Sequence, residues 1–334
     1  MSDNNTGKTT KEKILSMLEQ SRDYVSGQDI CDSLSLSRTA VWKHINTLRA
    51  EGYEIASVNN RGYKLNGMPD IINEKCIKDH LHTKWLGQNV IYYEETDSSN
   101  NKAKQLGEEG EKDGTVVVVD RQTAGKGRRG KNWISPAGNC YFSILLYPDV
   151  RVDRASMVTL VAAIAVSEAV REVTGIDTRI KWPNDVVAGG KKICGILTES
   201  STDMEYIQYV VVGIGINCNQ KEFENEIKDM ATSISLETGK NVERAKLLAT
   251  VFEHFERYYT LYLETEDLSK LYDRYNELLI NKDRDVKIIE NGRERIMKAI
   301  GINEVGALIV EDSDGRQETV ISGEVSVRGL YGYV

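Results

Sequence analysis

No stretch of this chain reaches the ~18 consecutive apolar residues that a membrane-spanning helix needs. The first thirteen residues, Met1 to Lys13, lack the apolar core of a secretion signal. Both absences lead to the expectation of a cytoplasmic protein with no membrane partner. Cysteine and histidine are also scarce. The five cysteines (Cys31, Cys76, Cys140, Cys194, Cys218) are an odd number, widely spaced and without a C-x-x-C pair. That argues against a disulfide framework and against a zinc site. Four histidines, two of them close together at His80 and His82, make a metal enzyme built on imidazole unexpected. No metal with protein ligands is assigned.

A surplus of positive charge is missing as well. The net charge of −8 argues against a protein coated in nucleic acid. The charge is unevenly spread: residues 1–66 carry nine Lys/Arg against eight Asp/Glu, or +1, which leaves −9 for the remainder. Any DNA-facing portion is therefore expected at the N-terminal end. The 334 residues suggest two or three domains at about 150 residues each.

What is present is concentrated in residues 115–147. Four valines in a row, Val116 to Val119, bounded by Gly114 and polar residues, predict a buried strand. Tyr141 to Leu146 predict a second. Between them runs Gly125-Lys126-Gly127-Arg128-Arg129-Gly130-Lys131, four cations within six residues among three glycines. Positive charge and free backbone N–H groups in one place suit a phosphate or another anion. The loop also spells G-x-G-x-x-G and the first seven positions of a Walker A loop. Both patterns need a helix to open directly afterwards. Pro136, Gly138 and an apolar strand-like run follow instead, and Asn132 stands where the Walker loop needs Ser or Thr. Taken alone, the segment equally suits a solvated basic hairpin loop.

Upstream, Ile14, Leu15 and Leu18 share one helical face within residues 10–25. Ser26 caps a short second helix, Leu34-Ser35-Leu36 is a turn, and Ser37 caps a third helix from Arg38 to Ala50, ended by Gly52. Ile55 to Leu65 reads as a hairpin tipped by Asn59-Asn60-Arg61-Gly62. Three helices and a hairpin make a winged helix-turn-helix, whose third helix enters the major groove. Arg38, Thr39, Lys43 and Asn46 lie near one face of that helix, and Val41, Ile45 and Leu48 face inward. Gly27 and Ser37, at the starts of the second and third helices, complete the DNA-facing set. A protein-docking module is the alternative.

Downstream, residues 73–86 predict a short helix and Val90 to Glu94 a strand. Asp97 to Asn100 read as an N-cap box for a helix through Lys102, Ala103 and Leu106. Residues 155–174 predict an apolar helix ended by Gly175. Pro183 fixes φ and forces Trp182 to be extended, giving a rigid corner. Gly189-Gly190 is a hairpin turn, and Lys192 starts the returning strand. Lys181 and Lys192, one on each arm, are placed to converge on one anion. Gln208 to Ile216 form another strand. Helices at 241–264 and 268–280 carry an aromatic stripe (Phe252, Phe255, Tyr258, Tyr259, Tyr262) read as core. From Asp283, alternating strands with Asn291-Gly292 and Asp314-Gly315 turns predict a small SH3-like barrel.

The ordered pieces Asp97-Ser98-Ser99-Asn100, Gln122 to Gly130, Trp133, Ser135-Pro136, Lys181-Trp182-Pro183-Asn184-Asp185, Lys192 with Gly195-Ile196-Leu197, and Gly213-Ile214-Gly215-Ile216-Asn217 carry a resemblance. Over nearly its whole length the chain resembles the biotin protein ligases, in the two-function bacterial form that also represses the biotin operon. The resemblance implies an α+β multidomain fold. Residues 1–66 would be the winged helix-turn-helix, 67–280 a class II synthetase-like mixed β-sheet with helices, and 281–334 the SH3-like barrel.

It also implies a reaction. Biotin and ATP, with Mg²⁺, give biotinoyl-5′-AMP, and a lysine of a biotin carboxyl carrier protein then takes the biotin. Operator DNA and a homodimer formed on corepressor binding are the further partners implied. By resemblance Ser98, Ser99, Asn100, Gln122, Lys126, Gly127, Arg128 and Lys192 hold biotin. Lys126, Arg128, Lys131, Trp133, Asn184, Asp185 and Asn217 hold the nucleotide or adenylate, and Lys192 and Arg128 are the catalytic pair. Ser99 stands where Thr is usual, which keeps a hydroxyl. Lys126 stands where Arg is commoner, which keeps the charge without the planar fork. A lipoate or other acyl-adenylate ligase, and a biotin-sensing repressor without catalysis, are the competing expectations.

Overall fold

The structure is a computed structural model and describes residues 9–21, 23–50, 52–67, 70–203, 206–290, 293–321, 325–329 and 333. It divides into two compact units, Met1–Ile71 and Ile72–Val334.

The first unit contains α1 (Thr10–Gln20), α2 (Gly27–Leu34), α3 (Arg38–Ala50) and a hairpin of β1 (Glu54–Val58) and β2 (Gly62–Gly67). Each helix starts at a hydroxyl cap. Thr9 and Glu12 form a reciprocal capping box. Ser26 Oγ accepts from the Gln28 N–H at 3.1 Å, and Ser37 Oγ from the Ala40 N–H at 3.2 Å. Ile14, Leu18, Ile30, Val41, Ile45, Leu48 and Ile55 close the core. The first helix ends earlier than its periodicity predicts. The chain leaves it so that Val25 can pair with Tyr63 through two backbone bonds of 2.8 and 2.9 Å. Gly62, at φ 106°, permits that pairing, because a Cβ there would lie 2.0 Å from the Val25 carbonyl oxygen.

The second unit opens with α4 (Glu74–Lys78), far shorter than the helix expected over 73–86. The Glu256 carboxylate accepts from the N–H groups of Lys84, Trp85 and Leu86 at 2.8–3.1 Å, so those groups have partners without a helix. Then follow β3 (Val90–Thr96), α5 (Ser99–Glu108), β4 (Val116–Gln122), β5 (Cys140–Leu146), α6 (Val158–Thr174), β6 (Arg179–Lys181), β7 (Asp185–Ala188), β8 (Lys191–Asp203) and β9 (Tyr206–Ile216). After them come α7 (Ile234–Thr238), α8 (Arg244–Thr265) and α9 (Tyr272–Leu278). The strands form one seven-stranded sheet in the order β3-β4-β5-β9-β8-β7-β6, with β3 and β4 parallel and the other pairs antiparallel.

Four consecutive valines are buried because both faces of this sheet are covered. Val116 and Val118 join the core that includes α6 and α8, whereas Val117 and Val119 pack with Ala103 of α5, Leu145 and Val211. Four of the five stripe aromatics on α8 are buried in that first core, and Tyr258 is partly buried against it. A second, antiparallel sheet holds β10 (Arg284–Glu290), β11 (Arg293–Ile302), β12 (Leu308–Glu311), β13 (Gln317–Val320) and β14 (Val325–Gly329), in the order β13-β12-β11-β10-β14. Its Asp314-Gly315 turn forms as expected, with Gly315 at φ 76°. The Asn291-Gly292 turn lies outside the described residues.

One buried ion pair ties α8 to the sheet. Arg244, 4 % exposed, donates to the Asp120 carboxylate and, at 2.9 Å, to the Asn139 carbonyl. Removing one partner of such a pair leaves an uncompensated charge. Arg244→Leu should therefore lower unfolding free energy by about 3–5 kcal/mol, measured by urea denaturation. A loss within experimental error would show that the pair does not secure α8.

Candidate active site

Two hollows meet over strands β8 and β9 of the central sheet, beside the basic loop. The smaller, ≈ 460 Å³ including its open mouth, is lined by Ser98, Ser99, Asn100, Gln122, Lys126, Gly127, Arg128 and Lys192, with Trp133, Asn184 and the β8–β9 residues Gly195–Leu197 and Gly213–Gly215. All eight residues expected at biotin thus line one hollow. The larger, ≈ 1860 Å³, is lined by Lys131, Asp185 and Asn217 of the expected nucleotide set and by an apolar end containing Phe223, Ile227 and Met230. Arg128, Trp133, Asn184 and Lys192 border both. Lys126 lines only the smaller hollow.

The inner end of the smaller hollow is neutral and heavily hydrogen-bonded. Ser98, expected to cap α5, occupies the cap position but makes no side-chain cap bond. The Ser99 N–H donates instead to Gln122 Oε1 at 2.8 Å, and Gln122 Nε2 donates to Ser135 Oγ at 2.9 Å. Ser143, the polar interruption in β5, lies within hydrogen-bond distance of Ser99 Oγ (2.8 Å) and Asn100 Oδ1 (2.6 Å). Asn100 Nδ2 donates to Glu199 Oε2 at 2.7 Å. Lys104 also donates to Glu199. Burial alone raises the Glu199 pKa, but the bonds from Lys104 and Asn100 outweigh it and hold the carboxyl below its ordinary range.

The floor is made of glycine. Gly195 and Gly215 face each other across β8 and β9. A Cβ on Gly215 would lie 2.7 Å from Trp133 Nε1, and one on Gly195 would lie 2.9 Å from the same indole. Gly213 leaves room for Asn100, whose Oδ1 would be 1.9 Å from an added Cβ. Gly195, Gly213 and Gly215 are therefore contact surfaces against which an indole and an amide pack closely.

The outer end is cationic. The basic loop folds back on itself, with the Gly127 N–H donating to the Lys131 carbonyl at 2.7 Å and the Trp133 N–H to the Gly125 carbonyl at 2.9 Å. A single 3₁₀ turn, Arg128–Gly130, forms there, and no α-helix opens after it as the dinucleotide and Walker patterns need. Three of the cations rest on protein acceptors. Lys126 Nζ donates to Asn101 Oδ1 at 2.6 Å, Arg128 to Asn184 Oδ1 at 2.7 Å, and Lys192 Nζ pairs with Asp185 Oδ1 at 2.6 Å. Lys192 also lies 5.0 Å from the Trp133 ring centroid. Burial lowers the Arg128 pKa, with Asp185 opposing the shift; the guanidinium keeps its charge at any working pH.

Lys181 and Lys192 both line the larger hollow, and each is engaged by a protein group, Lys192 by Asp185. Lys181, 7 % exposed, donates to the Tyr333 carbonyl and sits 3.6 Å from the centroid of its ring. Asn217 Nδ2 donates to the Thr232 carbonyl at 3.0 Å, so its amide also has a protein partner. In the first unit, Arg38, Thr39 and Lys43 are exposed on α3 and Asn46 is half-buried. Arg38 reaches back to Gln28 Oε1 at 3.0 Å, and Ser37 and Gly27 lie at helix starts, Ser37 with its hydroxyl used as a cap.

Comparison with known proteins agrees with this division. Residues 92–217 match the biotin/lipoate A/B protein ligase family, 10–64 an HTH domain and 284–328 the biotin protein ligase C-terminal domain. The chain is 38% identical to the bifunctional ligase/repressor BirA of Bacillus subtilis (strain 168), over 92% of this chain and 95% of that protein. The chain belongs to the bifunctional biotin protein ligase/repressor family. Another member it resembles, BirA of Escherichia coli (strain K12), is 31% identical over 96% of this chain and 98% of its own. The biotin protein ligase of Aquifex aeolicus, solved in complex with biotin and ATP, superposes with a TM-score of 0.64 at 34% identity, covering 72% of this ligase/repressor chain and 99% of that one.

Sequence reasoning missed Ser143, Glu199 and Tyr333, and quoted Ser135 in a motif without giving it a role. Only Ser143 left a signal, as a hydroxyl inside an otherwise apolar buried strand. The floor generates a test. Gly215→Ala adds a methyl against Trp133, an overpacking that costs about 1–3 kcal/mol. The urea midpoint should fall accordingly, and calorimetric titration should show biotin affinity lowered. Unchanged affinity together with unchanged Trp133 fluorescence would mean the indole does not rest on that glycine.

Proposed function

We propose that this protein activates biotin with ATP and transfers it to a lysine of biotin carboxyl carrier domains, and that its first unit represses biotin genes. The single observation that carries the reading is the junction of the two hollows. A neutral, donor- and acceptor-rich end suits the ureido ring of biotin, and the larger hollow has room for a nucleotide. Arg128 and Lys192 stand where a carboxylate from one side would meet an α-phosphate from the other. The work divides among residues 1–66 for DNA, 67–280 for ligation and 281–334 as a C-terminal barrel that helps enclose ATP and the carrier.

The first step forms a bond between a biotin carboxylate oxygen and the α-phosphorus and breaks the bond to the β-phosphate, releasing pyrophosphate. The second forms an amide from the carrier lysine, which gives up a proton, and breaks the acyl–phosphate bond, releasing AMP. Neither needs a covalent enzyme nucleophile. Catalysis is positioning plus neutralisation of developing charge in a site sheltered from water. Lys192 and Arg128 move from Asp185 and Asn184 onto the substrate oxygens, exchanging one set of acceptors for another.

The described residues supply few oxygen ligands for a magnesium ion. Asp185 is the single carboxylate among the residues lining the two hollows, and the described residues hold no group of three or more His, Cys, Asp or Glu side chains able to hold a metal. Mg²⁺ would arrive bound to ATP phosphates, as part of the substrate.

In the regulatory half of the reading, biotinoyl-AMP acts as corepressor and favours a homodimer that reads two operator half-sites. Among the described residues no helix is long and apolar enough to cross a membrane, and the site we infer in the cytoplasm needs none.

Two experiments test these halves. Lys192→Ala should slow biotin-dependent ATP–pyrophosphate exchange about 10²-fold, the scale of one oxyanion-type contact; near-normal exchange would refute the role given to Lys192, and faster turnover of lipoate than of biotin by the unaltered protein would refute the ligase reading. Arg38→Ala with Lys43→Ala should abolish operator retention in a mobility-shift assay and leave carrier biotinylation intact. Normal retention would remove α3 from the DNA interface.

A further inference from the structure

One side chain lining the larger hollow lies beyond the matched C-terminal domain, which ends at residue 328. This is Tyr333, downstream of β14, and it lines the hollow beside Lys181, Asn184, Asp185 and Lys192. Its hydroxyl donates to Asp185 Oδ2. The other oxygen of the same carboxylate, Oδ1, receives Lys192 Nζ at 2.6 Å and Asn184 Nδ2 at 3.0 Å. The amide oxygen of Asn184 in turn holds Arg128 at 2.7 Å. Tyr333 itself is clamped from behind, since buried Lys181 donates to its carbonyl and lies over its ring.

We propose that Tyr333 is a positioning residue of the active site: its hydroxyl fixes the rotation of the Asp185 carboxylate and thereby holds Lys192, and through Asn184 also Arg128, in place before the nucleotide phosphates take the two cations over. The assignment rests on the ligase reading for its chemistry and on the contacts above for its geometry. A carboxylate with one oxygen tied to a phenol has one oxygen left to face the lysine. Without that tie, the group can turn, and both cations lose a common reference. Lys181, the first residue of the strand-to-turn corner, thus acts at one remove, by holding the ring and carbonyl of Tyr333. Burial, with the nearby Asp185 charge, pushes the phenol pKa far up, so the hydroxyl stays a donor across the working pH range.

Tyr333→Phe in the full-length protein keeps the ring over Lys181 and the carbonyl, and removes only the hydroxyl. Adenylate formation should fall ~10-fold or more in kcat with KM for biotin unchanged, and the loss should largely vanish when the change is made on an Asp185→Asn background. Full activity in Tyr333→Phe overturns the proposal, as does the same fractional loss on both backgrounds, because then the hydroxyl does not act through Asp185. A second readout does not depend on turnover. In protein labelled with ¹³C-tyrosine, the Tyr333 Cζ resonance, assigned by its disappearance in Tyr333→Phe, should stay that of the neutral phenol through the ordinary phenol value near 10, and should move on Asp185→Asn. A resonance titrating as a free phenol overturns the assignment whatever the activity. Wild-type protein unable to form biotinoyl adenylate would instead sink the ligase reading and leave this titration to decide the role of Tyr333.

Discussion

Cations drawn around one small hollow repel one another, and each requires an acceptor whenever substrate is away. That requirement organises the site. Asp185, Asn184 and Asn101 supply those acceptors to Lys192, Arg128 and Lys126, at distances of 2.6–2.7 Å. The acceptors come from β7, the turn before it and α5, so the arrangement of charge depends on the register of β7 against β8 and on α5 lying against the sheet. A phosphate entering such a place replaces existing partners and need not desolvate a bare charge, which keeps the site both ordered and exchangeable.

The neutral end obeys the complementary rule. Ser99, Asn100, Gln122, Ser135 and Ser143 are mutually bonded, so buried polar groups are satisfied and also preorganised. Close packing of Trp133 and Asn100 on Gly195, Gly213 and Gly215 brings these side chains against the sheet, where any larger residue would clash with them. Charge at one end and neutral polarity at the other separate the two jobs of a ligation site: choosing the acyl group and stabilising the phosphate being displaced.

Much of this was legible early. The buried strand of Val116–Val119, the capped helices of the first unit, the apolar α6 and the glycine turn at 189–190 follow from periodicity, capping chemistry and φ preference, which are local properties. The set of residues gathered round the two hollows was legible through motif order. Less accessible were the loss of helix over 79–86 and the missing cap at Ser98. In both places a distant partner, Glu256 or Gln122, supplied the hydrogen bond that a local pattern assumes is internal.

The amino-acid order by itself determined the local elements, the winged arrangement of the first unit and the concentration of basic and glycine residues in one loop, because these rest on neighbours within a few positions. Tertiary structure alone decided which acceptor each cation takes, why Gly195, Gly213 and Gly215 cannot carry side chains, and that Tyr333 reaches Asp185 across 148 positions. Those contacts join residues far apart in the chain. Their strength depends on distance and burial, which no stretch of residues encodes on its own.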